Sequence, residues 1–91
     1  MLFVWTGFLK RGMEIIPASV EVESIDFLGQ PLINIRAAGQ LRDKSGKRVG
    51  MMIVFERDNF EEARAFVKDS PFLVADLYED HQLFEFVDEI G

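Results

Sequence analysis

The chain has 91 residues, 16 acidic against ten basic, a net charge of −6 and no cysteine. A chain of this length makes one domain, residues 1–91, and buries only about 60–65% of its unfolded surface, so its core alone is marginal. The missing cysteine excludes a disulfide, a thiolate nucleophile and a cysteine-type zinc site; no metal set or cofactor motif stands in its place, so none is expected. Oligomerisation is the remaining supplement, in keeping with a composition that is 48% hydrophobic and holds nine Phe. The acidic balance repels a phosphate backbone, and the basic residues are scattered except between Arg42 and Arg48, which argues against nucleic acid.

Residues 2–9 alternate Leu2, Val4, Thr6 and Phe8 with Phe3, Trp5, Gly7 and Leu9, so both sides of a first strand are largely apolar. This opening run has no basic segment before it and no small-residue cleavage site, and it is too short to span a bilayer. It is expected to be a strand of a protein without membrane contact, located in the cytoplasm. Pro17 suits the first turn of a helix reaching Leu28, with Val20, Ser24, Phe27 and Leu28 on one face and Glu21 and Glu23 outward. The β-branched residues and the Val-Glu-Val-Glu run leave a strand open as the alternative here.

Gly29-Gln30-Pro31 ends that element. Leu32 to Leu41 alternates again, with Ile33, Ile35, Ala37, Gly39 and Leu41 on one side and Asn34, Arg36 and Gln40 on the other. Asp43 to Gly46 is a tight turn with Gly46 suited to a left-handed conformation, and the returning strand, Val49 to Phe55, is apolar on both faces. Asn59 and Glu62 have capping-box spacing ahead of a helix whose stripe is Phe60, Ala63, Phe66 and Val67. Ser70-Pro71 starts a short helix. His81 to Ile90 reads as a last strand, with Leu83, Glu85, Val87 and Glu89 on one face and Phe84, Phe86 and Ile90 on the other.

The order β-α-β-β-α-β is the split-βαβ, ferredoxin-like α+β arrangement, an antiparallel sheet with the first and third strands in the centre. Those are the two strands that are apolar on both faces, so pattern and topology agree independently. Two helices cover one side of such a sheet. The other side leaves one apolar set of the central strands in water, either Phe3/Trp5/Leu9 or Leu2/Val4/Phe8, with one of the two sets of Val49 to Val54. A patch of that kind marks an interface, and the expectation is a face-to-face homodimer forming a barrel-like sandwich, a dimeric α/β barrel.

Phe8-Leu9-Lys10, Ala38-Gly39-Gln40-Leu41-Arg42-Asp43, Gly46 and Gly50, Phe60 to Ala65 and Ser70-Pro71-Phe72-Leu73-Val74-Ala75 occur in one order across nearly the whole chain. In this series the sequence resembles the YciI-like (YCII-related) family of small dimeric α+β-barrel proteins. The resemblance implies small-molecule chemistry by a His of the first helix paired with the Asp of an Asp-Pro-aromatic motif. This chain departs from both positions. Its first helix carries only Glu21 and Glu23 in the matching region, and Ser70 precedes Pro71 with Asp69 one residue earlier.

His81 is the sole histidine and hence the only imidazole base; its neighbourhood, Asp76 to His81, is also explained as a solvated loop before an edge strand. Arg36, beside Asn34, is a candidate carboxylate clamp, with a surface salt bridge as the plain alternative. Ser70 and Tyr78 are further candidates for ligand contact, although Ser70 already has a role as a helix cap, and Asp69 flanks the same short helix. Trp5 and Phe8 read as core or interface. The basic group at the hairpin, Arg42, Lys44, Lys47 and Arg48, is too small to rank as an anion site by itself. No phosphate loop, zinc-protease motif or hydrolase triad is present. The expectation is a dimer that binds a small anionic or aromatic metabolite between sheet and helices. The rivals are an enzyme of lyase or isomerase type using Asp69, His81, Glu21 or Glu23 as base, and a module whose only task is association.

Overall fold

Strand β1 (Leu2–Leu9) lies inside the sheet because both of its faces are apolar enough to be covered. It pairs antiparallel with β3 (Arg48–Glu56) on one side and β4 (Tyr78–Phe86) on the other, and β2 (Ile35–Arg42) pairs with β3 to complete the order β2-β3-β1-β4. Helices α1 (Ala18–Leu28), α2 (Phe60–Lys68) and α3 (Pro71–Val74) fill the crossovers. This computed structural model describes residues 1–13, 15–30 and 34–90. Leu32 and Ile33 of the expected second strand lie outside the described residues. The ferredoxin-like α+β architecture, with its first and third strands central, is the one the sequence implies, and residues 18–28 are helix rather than strand.

Alternation along β1 and β3 decides the two layers. Phe3, Trp5, Ile53 and Phe55 point toward the helices and are 0–1% exposed, and they form one core with Phe66, Val67 and Phe72. Phe66 of α2 seats this layer, its ring 4.6 Å from that of Phe55 and 4.9 Å from that of Phe27 on α1. Asn59 caps α2 by accepting from the Glu62 N–H, and Ser70 caps α3 in the same way from Leu73. The hairpin between β2 and β3 closes as expected: Asp43 accepts from the backbone N–H groups of Ser45 and Lys47, and Gly46 takes φ +88°.

The other side of the sheet carries no helix. Cross-strand partners Val4, Val54 and Phe84 share it, as do Leu2 with Phe86 and Thr6 with Met52. Of the two sets the sequence left open, Leu2/Val4/Phe8 with Met52/Val54 is therefore the uncovered one. Phe84, Phe8 and Phe86 are 52%, 45% and 43% exposed there.

Two expectations need correction. The strict alternation of Leu32 to Leu41 is broken, because Ile35 stands opposite Phe55 and Ala37 opposite Val54, leaving Arg36 as an extra residue. Ile35 consequently faces the core while Ala37, Gly39 and Leu41 face the open side. The last strand is also displaced. It begins at Tyr78 and ends at Phe86, not Ile90, so Val87, Glu89 and Ile90 lie beyond the ladder. A bulge explains the earlier start: Glu79 opposes Phe8 and Gln82 opposes Thr6, so Asp80 and His81 together face Gly7, with Asp80 at φ +50°. A third irregularity lies between β2 and β3, where Leu41 opposes Gly50 but Arg42 opposes Arg48, which makes Val49 the extra residue.

Candidate functional site

A cleft of about 190 Å³ opens between α1 and the sheet, over β2 and the start of β3. It exists because the residues of β2 beneath α1 are small: Ala38 offers only a methyl group where a large side chain would fill the layer. Val20, Ile25 and Leu28 of α1 and Phe72 and Leu77 behind them give it apolar walls, and Glu21, Ser24, Gln40, Arg48 and Tyr78 supply its polar atoms.

Tyr78 and Arg48 form the polar pair of the cleft. Tyr78 is 4% exposed, and its hydroxyl accepts from the Arg48 Nη2 at 3.4 Å while lying 3.7 Å from the Met51 sulfur. Burial pushes the phenol above its ordinary 10.0, against an opposing pull from the Arg48 charge, so the group is neutral at physiological pH. The Arg48 Nε is buried and has no protein partner among the described residues. An arginine with a spare buried donor beside a neutral phenol is a site for an oxyanion, since guanidinium donors match carboxylate or phenolate oxygens and a buried donor left unpaired costs about 1–3 kcal/mol.

Arg48 was not singled out from the sequence. Counting back by twos from Met51 puts it on the open face; the extra Val49 turns it to the helix side. The one local signal of the bulge is Gly50, next to Val49, since a glycine inside a strand often marks an irregularity.

The residues that were singled out are dispersed. Tyr78 and Glu21 line the α1 cleft, while Glu23 is exposed on α1. Arg36 sits at the bulge of β2, paired with Glu56 together with Asn34, and that ion pair and those hydrogen bonds hold the Glu56 carboxyl below its usual range. Ser70 is fully buried, its hydroxyl donating to the Val67 carbonyl and accepting from the Leu73 N–H at 3.4 Å. Asp69 ends α2 in a shallow depression with Phe27 and Arg57. His81 lies on the opposite flank of the helix layer, its ring 6.1 Å from that of Trp5. His81 and Asp69 thus line separate concavities, apart from the cleft that holds Glu21. No group of three metal-binding side chains and no helix long and apolar enough to cross a membrane occurs among the described residues.

No family model matches the chain, and no curated protein matches it. Among solved structures it is similar to the 5-chloro-2-hydroxyhydroquinone dehydrochlorinase TftG from Burkholderia phenoliruptrix AC1100, solved in complex with 2,5-dihydroxybenzoquinone. The TM-score is 0.82 at 17% identity, over 96% of this chain and 94% of that one. A candidate antibiotic biosynthesis monooxygenase from Chloroflexus aurantiacus J-10-fl aligns more loosely, with TM-score 0.56 and 13% identity over 100% and 98% of the two chains. Since TftG is itself YciI-like, this chain carries the YciI-like α+β fold over almost its whole length.

Proposed function

We propose that the chain binds a small anionic aromatic molecule, of phenolate or hydroxyquinone type, in the α1 cleft, and that it does so as a cytoplasmic homodimer. The observation that carries this reading is the Arg48–Tyr78 pair at the floor of a cleft whose walls are mostly apolar, with Glu21, Ser24 and Gln40 as its other polar side chains. A cavity of about 150 Å³ lined by apolar side chains is enough for a benzene ring, so 190 Å³ suits one ring with oxygen substituents. The single-ring dihydroxyquinone bound to TftG, a protein of the same fold, supports that choice. Homodimerisation is supported by the helix-free sheet face. Four strands of eight or nine residues at about 4.8 Å spacing present about 500 Å² in projection, the size at which the largest apolar patch of a soluble protein is often functional.

The test of the ligand is calorimetric titration and thermal shift with 2,5-dihydroxybenzoquinone and simple phenols. Binding should raise the melting temperature, and Arg48→Met should weaken it about tenfold, the effect of removing one charge-assisted hydrogen bond. A wild-type protein that none of these compounds stabilises would sink the reading. For the assembly, light scattering at micromolar concentration should give a dimer, and Val54→Glu should give a monomer; a monomeric wild type would refute it.

An enzymatic reading is favoured by one observation, that Glu21 lines the same cleft as Arg48 and Tyr78. A carboxylate there is placed to accept a proton from a bound hydroxyaromatic while Arg48 holds the resulting oxyanion. Turnover of a chlorinated hydroquinone that survives Glu21→Gln unchanged would eliminate this base.

A further inference from the structure

A second concavity lies on the opposite flank of the helix layer, between α2 and β4, with a volume of about 430 Å³. Trp5 and Leu83 of adjacent strands form its floor, and Arg64 and Lys68, one helical turn apart on α2, face His81 of β4 across it. Its chemistry differs from that of the α1 cleft. Three nitrogen-bearing side chains meet here in a chain where acids outnumber bases 16 to ten, yet none of the ion pairs found among the described residues involves Arg64, Lys68 or His81. Two like charges at i and i+4 are mildly destabilising on a helix, although Lys68 gains from its place in the last helical turn and Arg64 from Glu61 three residues before it.

The walls supply an independent observation. Phe60 is 40% exposed at the groove, and with half-buried Leu83 and the exposed His81 ring it offers apolar surface to a planar molecule, above a floor closed by Trp5, which is 1% exposed.

We propose that the groove between α2 and β4 is a second ligand site, for an aromatic carboxylate larger than one ring, its carboxyl group held by Arg64 and Lys68 and its ring system laid against Phe60 and Leu83 beside His81. The site is separate from the α1 cleft, with Trp5 and Phe72 standing between the two, ring centroids 5.1 Å apart.

Trp5, His81 and Tyr78 are the only residues of their types in the chain, so each gives one unambiguous NMR signal. The full-length protein is titrated with 2-naphthoate while the indole N–H of Trp5, the imidazole C–H of His81 and the ring protons of Tyr78 are followed. The first two signals should shift together and saturate, with a smaller change at Tyr78. Arg64→Gln/Lys68→Gln should weaken 2-naphthoate at least about fivefold, since two exposed charge contacts of about 0.5 kcal/mol each are lost. Binding of the neutral 2-naphthylmethanol should be the same in both proteins. Lys44→Gln/Arg11→Gln removes the same charge away from the groove and should leave 2-naphthoate affinity unchanged. The proposal is overturned if Tyr78 alone responds, if no signal saturates at millimolar ligand, or if both double variants weaken binding equally. Arg64 and Lys68 are exposed on α2, so the variant folds and each outcome is readable.

Discussion

Helices α1 and α2 lie side by side on one sheet face, and they are held to it in opposite ways. Helix α2 buries Ala63, Phe66 and Val67, is capped by Asn59, and carries Glu61 and Glu62 in its first turn and Lys68 in its last, matching the helix dipole at both ends. Helix α1 has no fully buried residue, no side-chain cap, since Pro17 stands at its N-cap, and no basic residue in its last turn. Val22 and Ile25 are 57% and 65% exposed on it. The difference follows from what lies beneath each helix. Beneath α2 the layer is filled by Phe66 and Val67, and its groove lies along the flank against β4; under α1, over Ala38, the cleft opens. Binding sites tend to be drawn from the less stable parts of a fold, and here the weakly held helix is the one that walls the Arg48–Tyr78 pair.

The contrast is broken most severely by core truncation. Phe66→Ala should cost about 3–5 kcal/mol in urea denaturation, the range for a phenylalanine lost from a packed core. Phe27→Ala, the facing but half-buried ring on α1, should cost less than half of that; equal losses would mean that the two helices are equally integral to the core. Ser24→Leu sharpens the comparison from the other side. The added side chain should fill the cleft, stabilise the protein by about 0.5–2 kcal/mol and abolish ligand binding there, the usual exchange between stability and function. A variant that gains stability and keeps full affinity would show that the ligand binds elsewhere.

The smallest effect is on alkaline stability. The Tyr78 phenol is raised in the folded chain, so its contribution is complete below pH about 10, where the unfolded chain also keeps its proton, and is lost as pH rises through the folded value. Stability should decline above pH 10 in the wild type, with a shallower decline in Tyr78→Phe. With one tyrosine in the chain, phenolate absorbance in folded and urea-unfolded protein checks the direction. The carboxyls of Asp43 and Glu56 are held low, chiefly by the Ser45 hydroxyl and by Arg36 respectively. They act at the other end of the scale: what they contribute is present above the ordinary carboxylate range and lost as pH falls.

Most of the fold can be read from hydrophobic periodicity. Leu2 to Leu9 and Phe60 to Lys68 are legible because each keeps one period from end to end, whereas Ala18 to Leu28, a helix, reads less plainly because its Val-Glu-Val-Glu run also fits a strand. The open sheet face is legible too, as a counting argument about two helices and one sheet. The site is not, because it depends on departures from period. Arg48 enters the α1 cleft through the extra Val49, and Arg36 leaves the alternation of β2 through its own bulge. Gly50 adjoins the first irregularity, but a glycine in a strand does not say which residue is extra, and no glycine or proline adjoins the second; each is stabilised by pairing with a distant strand that local sequence does not contain. His81 and Asp69 were attractive for their chemistry alone, and chain position gives no warning that the folded layer sends them to separate depressions.

The bulge at Asp80 sets the parity of β4. With that one extra residue, Tyr78 and His81, an odd number of positions apart, reach the same layer, so a single edge strand furnishes both concavities. Straightening the strand with Asp80 kept would transpose everything ahead of it: Glu79 would be driven to the helix side opposite Leu9, and the phenol would be turned out to the open face, whereas deleting Asp80 together with its bulge leaves Glu79 opposite Phe8 and Tyr78 opposite Leu9. A relative of the same length without the bulge would keep the sheet yet possess at most one of the two recesses, which makes the register of this strand, more than the identity of any residue on it, the feature to compare when related chains are sorted by what they bind.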